Sequence, residues 1–285
     1  MKTPKLLICL FAVVGMMAWQ AYAEDAKPKR KVLFLSKSVG YTHDVVNRLK
    51  AAPVNDDRGI EHWTDLKTPA PLSYAEQVLT EIGASSGAFA VTCTQNPADI
   101  NADNLKNYDA VFFYTCGDLG FSPEQKKALL DFVRGGKAFI GAHSATDTFH
   151  NWPEYGEMIG GYFDDHPWGQ KVRIKIEDPK HPAVRGLGTS FEIIDEIYEF
   201  TDPWSRKTNH VLMSLDNSSV NTNIPAVHRA DKDFGITWVR SYGKGRVFFT
   251  ALGHRADVWS NPRFQKMIIE GIRWAMRDTS SARQK

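Results

Sequence analysis

The sequence has almost no surplus of charge of either sign. Its 285 residues include 35 Lys and Arg against 33 Asp and Glu. Lys2 and Lys5 precede a cleavage signal near the N-terminus, and without these two residues the basic and acidic groups balance. A neutral chain lacks the basic surface that attracts nucleic acid or an anionic membrane. We therefore expect no nucleic-acid partner, and a small-molecule ligand that need not be strongly charged.

Cysteine is also scarce, with three residues in the whole chain. Cys9 lies in the N-terminal apolar run, whereas Cys93 and Cys116 lie in or at the end of strand-like segments. Two cysteines do not make a disulfide scaffold, and their spacing fits no zinc knuckle. We interpret Cys93 and Cys116 as two buried thiols, although an oxidising compartment would permit them to pair.

Only one apolar run approaches membrane length, from Leu6 to Trp19, and it is short for a bilayer span. A basic segment precedes it and Ala21-Tyr22-Ala23 follows it, an order typical of a secretory signal peptide. We expect cleavage after Ala23, a periplasmic or secreted location, and no membrane attachment afterwards. The predicted boundaries are a signal peptide at 1–23, a polar leader at 24–30, one domain at 31–278 and a tail at 279–285.

The rest of the chain alternates strand and helix signals. Runs such as Lys31–Ser36 and Ala110–Thr115 are apolar on both faces, which predicts buried parallel strands. Ser122-Pro123 predicts the start of a helix that ends near Arg134. In the second half, Lys171–Ile176 alternates polar and apolar residues, and a Y-G-K-G turn joins two further strands. The pattern predicts an α/β fold with a doubly wound, mainly parallel sheet and an antiparallel extension.

Polar residues follow four predicted strands at the point where each strand ends. Ligands of such sheets bind beyond the carboxyl ends of the strands. The first strand leads to His43, AVFFYT leads to Asp118, AFIG leads to His143, and the late strand RVFFTAL leads to His254. Three of the four strand ends therefore carry a histidine. Because parallel strands end at one edge, we expect these histidines to converge on one pocket.

The segment from Gly141 to Ala145 has the pattern of a nucleophile elbow, a strained turn that presents one side chain above the sheet. His143 holds the elbow position, and Ser144 is one residue out of register. We predict that His143 projects into the site as an acid, a base or a ligand. The alternative is an ordinary turn with a capped serine, which would not require a histidine.

Several segments together resemble the ThuA-like family of trehalose-utilisation proteins. They are GAHSATDTFHNWPEYGEMIGGYFDDHPW, DPKHPAVRGL, DEIYEF and YGKGRVFFTALGH, and they occur in the family's order. The similarity extends from KVLFLSKSVGYTH to GIRWA, nearly the whole predicted domain. The resemblance implies a fold similar to that of class I glutamine amidotransferases. It also implies a link to trehalose and related disaccharides, including 3-keto-sugar intermediates.

The elbow departs from that of the amidotransferases, whose cysteine there pairs with a late histidine. His143 replaces the cysteine, and His254 stands where the late histidine would fall. Neither Cys93 nor Cys116 lies at the elbow, so no thioester forms and we expect no glutaminase activity. A serine hydrolase that pairs Ser144 with His254 remains an alternative.

The segment from Asp195 to Glu199 is dense in carboxylates. If it is extended, Glu196 and Tyr198 share one face, and a glutamate beside a tyrosine suits acid–base work or binding of a sugar hydroxyl. The alternative is a solvated edge strand. The family resemblance favours Glu196 as the third catalytic candidate, beside His143 and His254.

The remaining candidates are assigned to substrate binding. Aromatic residues in polar, loop-like segments suit a sugar ligand because aromatic faces pack on sugar rings, although we expect ordinary core packing to account for most of them. His166 is either at the pocket rim or in a structural loop, and His228 is a weaker candidate near the antiparallel extension. The complete set of substrate-binding candidates is His43, Asp118, Ser144, Trp152, His166, Trp168, Tyr198 and His228.

The leading hypothesis is an exported enzyme that acts on a disaccharide or a keto-sugar. A hydrogen next to a ketone is acidic enough for a histidine or carboxylate base to remove, which suits isomerisation, elimination or hydrolysis. His143, His254 and Glu196 are also candidate ligands of a divalent metal such as zinc, although no compact motif such as H-E-x-x-H is present. The alternative from another class is a noncatalytic sugar-binding protein with the same fold.

Overall fold

The computed structural model describes residues 30–56 and 58–278. The predicted signal peptide, nearly all of the polar leader and the tail at 279–285 lie outside the described residues, so these boundaries stay predictions. Within the described ranges, no helix combines the length and the apolar character needed to cross a membrane.

The described residues form thirteen strands and six α-helices, separated by short 3₁₀ turns. The strands are β1 Lys31–Leu35, β2 Lys50–Asn55, β3 Glu61–Asp65, β4 Ala90–Thr94, β5 Ala110–Phe113, β6 Ala138–Ala142, β7 Tyr162–Trp168, β8 Lys171–Ile176, β9 Ser190–Ile194, β10 Ile197–Thr201, β11 His210–Leu215, β12 Gly235–Tyr242 and β13 Gly245–Thr250. The helices are α1 Tyr74–Ser85, α2 Ala102–Leu105, α3 Pro123–Arg134, α4 Pro153–Ile159, α5 Ala256–Ser260 and α6 Pro262–Ala275.

Nine strands form one mixed sheet in the order β4-β1-β5-β6-β13-β12-β11-β8-β9. The first five strands of this order are parallel to one another. The last four continue the sheet in antiparallel fashion. Two small antiparallel pairs, β7 with β10 and β2 with β3, lie outside it. The prediction of an α/β fold with a mainly parallel sheet and an antiparallel extension is confirmed.

The central strands and the helix ends follow from local sequence. All four residues of β5 are buried, as expected for a strand covered on both faces. Helix α3 begins at Pro123 behind a capping box in which Ser122 and Gln125 bond to each other's backbone. Helix α6 ends at Ala275, and Arg277 just beyond it takes a left-handed conformation (φ 57°) that cannot continue the helix.

The loop after β1 is fixed by a close backbone approach to the segment after β5. The Val39 N–H donates to the Cys116 carbonyl at 2.8 Å. A Cβ on Gly117 would lie 2.1 Å from the Val39 oxygen, and its φ of +76° also favours glycine. The loop that carries His43 is therefore packed against its neighbour at the carboxyl edge of the sheet.

The segment DEIYEF is not the solvated edge strand that was one of the two predictions for it. Four of the five residues of β10 are buried, and β10 pairs with β7 rather than with the main sheet. The alternative of a solvated edge strand is therefore wrong, because Ile197 and Phe200 belong to the hydrophobic core. Cys93 and Cys116 are free thiols; Cys116 is buried, as predicted, whereas Cys93 is only half-buried.

Candidate active site

Four polar side chains converge at the carboxyl edge of the parallel strands. One nitrogen each of His43, His143 and His254 and one oxygen of Glu196 all lie within 4.8 Å of one another. His143 follows β6, His254 follows β13, and His43 lies in the loop after β1. Glu196 precedes β10, outside the main sheet. The structure therefore brings together the four residues that the strand-end argument and the family resemblance placed in one pocket.

His143 sits on a strained turn that aims its ring into this cluster. Its φ is 47°, which for a residue other than glycine costs about 1–3 kcal/mol. The ring is inaccessible to solvent, and its Nδ1 lies 2.7 Å from the carbonyl oxygen of Ala251. Because a carbonyl only accepts hydrogen bonds, we assign the hydrogen of the neutral ring to Nδ1. The Nε2 lone pair then faces the Tyr198 hydroxyl at 2.8 Å.

Glu196 bridges the histidines. Its Oε2 lies 3.3 Å from His143 Nε2 and 3.3 Å from His254 Nδ1. Its Oε1 lies 3.8 Å from Nδ1 of His166. The Glu196 side chain is 20% exposed and that of His254 31%, whereas His143 is fully buried. A ligand would therefore reach the cluster from the side of Glu196 and His254.

The backbone before His254 is held by three hydrogen bonds to Gly253. The Gly253 N–H donates to Asp195 Oδ2 at 2.7 Å. Its carbonyl accepts from the Tyr114 hydroxyl at 3.0 Å and from Trp259 Nε1 at 2.8 Å. Gly253 itself has a φ of +126°, which favours glycine. These contacts fix the backbone position from which the His254 side chain extends. Sequence reasoning missed the role of Asp195 in them.

His43 closes the cluster from the remaining side. Its ring packs edge-on against His143 and His254, with ring centroids 4.7 Å and 5.2 Å away. The residue is 4% exposed, and its Nδ1 has no hydrogen-bond partner among the described residues. Its carbonyl accepts the Val46 N–H at 3.1 Å, which begins a short 3₁₀ turn. His43 thus presents an unpaired buried nitrogen beside two other imidazoles.

The cluster pushes the pKa values of its members apart. Burial, then the neighbouring His143 and His254, lowers the pKa of His43 to about 2. Burial also lowers the pKa of His143. Burial alone would raise the pKa of Glu196, but its close contacts with His143 and His254 hold it well below the usual range. For His254 burial opposes protonation, yet the contact with Glu196 outweighs it and raises the pKa.

Two further buried groups keep their protons more readily than usual. Burial, with Glu196 nearby, raises the pKa of Tyr198 well above its ordinary value, so its hydroxyl stays a donor to His143. Burial raises the pKa of Asp195 to about 7, although the Gly253 N–H acts in the opposite direction. Separated pKa values of this kind are a feature of acid–base sites.

The rim of the cluster carries two exposed rings. The His166 side chain is 52% exposed and its ring stacks on Phe163 at a centroid distance of 5.9 Å. Tyr41 is 63% exposed, and its ring lies edge-on to His43 at 4.8 Å. Sequence reasoning placed His166 at the rim as one of two alternatives but missed Tyr41. The available signal was its position two residues before His43, in a loop already singled out.

Three substrate-binding candidates are not available to a ligand in the way predicted. Asp118 accepts the Gly120 N–H at 2.9 Å and shapes a turn. Trp152 and Trp168 are 5% and 3% exposed. Trp168 donates to the Asn221 carbonyl at 3.1 Å. The prediction that these two indole faces receive a sugar ring is wrong, because core packing buries them.

Ser144 and His228 also lie apart from the working side chains. Ser144 is fully buried, and its Oγ has no hydrogen-bond partner among the described residues, so the serine-hydrolase alternative lacks a base. His228 Nδ1 lies 3.1 Å from Asp164 and 3.3 Å from Glu199. These three residues form a second acidic group rather than part of the histidine cluster.

Neither thiol is poised for nucleophilic attack. Burial, and then a contact with Asp147, raises the pKa of Cys116 to about 12. Burial raises the pKa of Cys93 to about 11. A thiolate is the reactive form, and little of it exists at neutral pH with such values. Neither thiol therefore has the reactivity that a glutaminase nucleophile requires, and the absence of glutaminase activity stays a prediction.

The sheet order and the histidine elbow define an α/β protein with a fold like that of class I glutamine amidotransferases. The sequence model of the ThuA family, described as trehalose utilisation, matches residues 63–275. This chain belongs to the ThuA trehalose-utilisation family. Among curated proteins, no sequence matches it.

Solved structures support the same fold. A ThuA-like protein from Bacteroides uniformis is 20% identical, with a TM-score of 0.66, over 90% of this chain and 94% of that chain. One from Parabacteroides merdae is 19% identical, with a TM-score of 0.61, over 87% and 90% of the two chains. A cytoplasmic protein from Salmonella typhimurium is 11% identical, with a TM-score of 0.54, over 86% and 98%.

Proposed function

We propose that this chain is an exported carbohydrate-processing enzyme of the trehalose-utilisation type, which acts on a disaccharide or keto-sugar by acid–base chemistry. The observation that carries the proposal is the position of His143 Nε2 and His254 Nδ1, each 3.3 Å from the same oxygen of Glu196. Two imidazoles around one carboxylate bring proton acceptors and a donor within reach of one small ligand. Membership of the family supports a sugar as that ligand.

The chemistry follows from the acidity of a hydrogen next to a ketone. A base removes this hydrogen, and the electron pair forms the carbon–carbon double bond of an enolate. If a glycosidic oxygen is bonded to the next carbon, the same electron pair expels it, and an acid supplies its proton. If no such group is present, the enolate oxygen takes a proton to give an enediol; the neighbouring hydroxyl then loses its proton as the former carbonyl carbon gains one, and the carbonyl has moved by one carbon.

The protonation states suggest which group acts on which side. Glu196 is ionised and partly exposed, so it is the acceptor nearest to an entering ligand. Neutral His143 lies behind it and shares the proton through Nε2. His254 has a raised pKa and an exposed edge, which suits a proton donor. Tyr198 orients His143 rather than meeting the substrate, because it is 2% exposed.

Hydrogen exchange next to a ketone tests this proposal. The mature chain is incubated in D₂O with a 3-keto-disaccharide, and NMR follows deuterium uptake beside the carbonyl and loss of the glycosidic bond. We expect Glu196→Gln to lower both rates by about 100-fold or more. Glu192→Gln, the same change at an exposed carboxylate in β9, is the matched control and should leave both rates unchanged.

Two results would contradict the proposal. The first is an E196Q rate equal to that of the unmodified chain. The second is a protein whose melting temperature rises with added keto-sugar while neither exchange nor bond cleavage occurs, which would indicate a noncatalytic binding protein.

A further inference from the structure

We infer that His43, His143, His254 and Glu196 form a site for one divalent transition-metal ion, with three imidazole nitrogens and one carboxylate oxygen as ligands. The inference rests on the proposed function only in taking these side chains as the working site. It adds His43, which the sequence assigned to substrate binding, to the candidate ligands His143, His254 and Glu196.

Hydrogen bonds within the cluster leave two buried ring nitrogens without a partner. Nδ1 of His143 donates to Ala251, and its Nε2 accepts from the Tyr198 hydroxyl at 2.8 Å while it also faces, at 3.3 Å, a carboxylate oxygen that only accepts. Nδ1 of His43 and Nδ1 of His254 are buried and have no hydrogen-bond partner among the described residues. Buried polar atoms without partners are rare in native proteins and costly. A single cation at the centre would satisfy all four side chains at once.

The separations fit one ion. Two ligands at about 2.0–2.1 Å from a tetrahedral zinc ion lie about 3.3 Å apart. Glu196 Oε2 has this separation from both His143 Nε2 and His254 Nδ1. The wider pairs, up to 4.8 Å, must shorten as the side chains rotate onto the ion.

The surroundings of His143 also resemble those of a metal ligand, and the backbone before His254 is fixed. A ligating histidine usually donates its other ring N–H to a carbonyl or carboxylate, which fixes the tautomer. The Ala251 carbonyl does this for His143. Asp195 holds the backbone before His254 through Gly253. The hydrogen bond from Tyr198 to His143 Nε2 must give way when the ion binds.

The ligand set selects the class of ion. Magnesium and calcium prefer oxygen ligands, whereas imidazole suits zinc, iron, nickel and copper. A bound ion would polarise the carbonyl of a keto-sugar and stabilise the enolate. With the ion bound, the four side chains would serve as ligands, so the acid–base roles proposed above for Glu196 and His254 would pass to groups at the rim such as the exposed His166.

The second acidic group does not carry a similar inference. The carboxylate of Glu199 already accepts the backbone N–H groups of His228 at 2.8 Å and Arg229 at 3.3 Å. The buried member of this group therefore has partners, and it serves to hold the chain at His228. This makes His228 a useful control for the histidine cluster.

Cobalt binding tests the inference without reference to activity. The mature chain is treated with a chelator and titrated with Co²⁺, whose visible absorption reports nitrogen and oxygen ligands, and bound metal is counted by mass spectrometry. We expect one Co²⁺ per chain, displaced by Zn²⁺ but not by Mg²⁺. Glu196→Gln and His254→Ala should weaken binding by about 100-fold or more, because loss of an outer-shell partner alone typically costs about 10–100-fold. His228→Ala should bind as the unmodified chain does.

Circular dichroism of each variant establishes that the fold is retained, and Glu196→Gln is the milder of the two changes if His254→Ala fails to fold. Binding of less than one Co²⁺ per five chains, or loss of binding only in His228→Ala, would overturn the inference. The two proposals fail separately. Stoichiometric cobalt without keto-sugar turnover contradicts the sugar chemistry alone, whereas turnover by a chain that binds no cobalt contradicts the metal alone.

Discussion

At the scale of the residue, the tautomer of His143 is set by the backbone rather than by another side chain. The Ala251 carbonyl takes the Nδ1 hydrogen, and the strained backbone of His143 directs Nε2 toward Glu196. A carbonyl cannot change protonation state, so this orientation does not depend on pH. The contacts of Nε2 are then made by two side chains, the Tyr198 hydroxyl and the Glu196 carboxylate.

The Tyr198 hydroxyl gives the first prediction at this scale. Tyr198→Phe removes a buried donor and leaves His143 Nε2 without that bond. We expect the free energy of unfolding to fall by about 1–3 kcal/mol, since a buried acceptor loses its partner. Urea denaturation followed by circular dichroism measures it. Tyr41→Phe, at a ring that is 63% exposed, should change stability by less than about 0.5 kcal/mol. Equal stability of both variants would show that the buried hydroxyl makes no net contribution.

At the scale of the element, the position of His43 depends on a loop rather than on a strand. His43 lies eight residues beyond the end of β1, too far for the strand to orient it. The close approach of Val39 to Gly117, together with the Val39–Cys116 hydrogen bond, anchors the middle of this loop. The third histidine thus reaches the site through packing between two segments that follow different strands.

Substitutions at two glycines of one segment distinguish the effect of this packing on stability from the effect of backbone strain. Gly117→Ala and Gly120→Ala both place a side chain at positive φ, which costs about 1–2 kcal/mol. Only at Gly117 does the new Cβ meet another atom, 2.1 Å from the Val39 oxygen, whereas Gly120 has open space. We expect Gly117→Ala to be less stable than Gly120→Ala by at least about 1 kcal/mol.

The displaced loop should also carry His43 out of the cluster, so Gly117→Ala should weaken Co²⁺ binding while Gly120→Ala should not. Chemical denaturation and the cobalt titration provide the two measurements. Indistinguishable behaviour of the two variants would mean that the Val39–Gly117 contact does not position His43.

At the scale of the whole molecule, acidic and basic residues of the full sequence balance once Lys2 and Lys5 are set aside, and the absence of a nucleic-acid partner stays a prediction from this balance. The proposed location of the protein rests on its first residues. The apolar run and the Ala21-Tyr22-Ala23 signal are the basis of the proposed export.

Export predicts a chain that begins at Glu24. Intact-mass spectrometry of the periplasmic or secreted fraction should show loss of residues 1–23, because a signal peptidase needs small residues at the cleavage site. Ala23→Trp should block this processing and leave the longer chain associated with the membrane. An unprocessed chain starting at Met1 in the exported fraction would contradict the proposal.

Much of the site could be predicted because its residues follow strands. Apolar runs identify β1, β5, β6 and β13, and the geometry of parallel strands alone sends His143 and His254 to one edge. Glu196 came from family resemblance, since no periodicity in Asp195–Glu199 indicates which partner that segment meets. The aromatic assignments failed because a tryptophan in a polar stretch of sequence has the same composition whether it is packed or exposed.

The sequence by itself determined the fold class, the family and the edge at which the histidines lie, because these depend on local hydrophobic patterns and on strand direction. Only the tertiary structure decided the contacts between distant segments. Ala251 selects the tautomer of His143 across 108 positions, and Asp195 holds Gly253 across 58. The pairing of β10 with β7 likewise buries Tyr198, whose hydroxyl donates to His143. Such contacts arise when segments far apart in the chain pack together, and no local pattern records them.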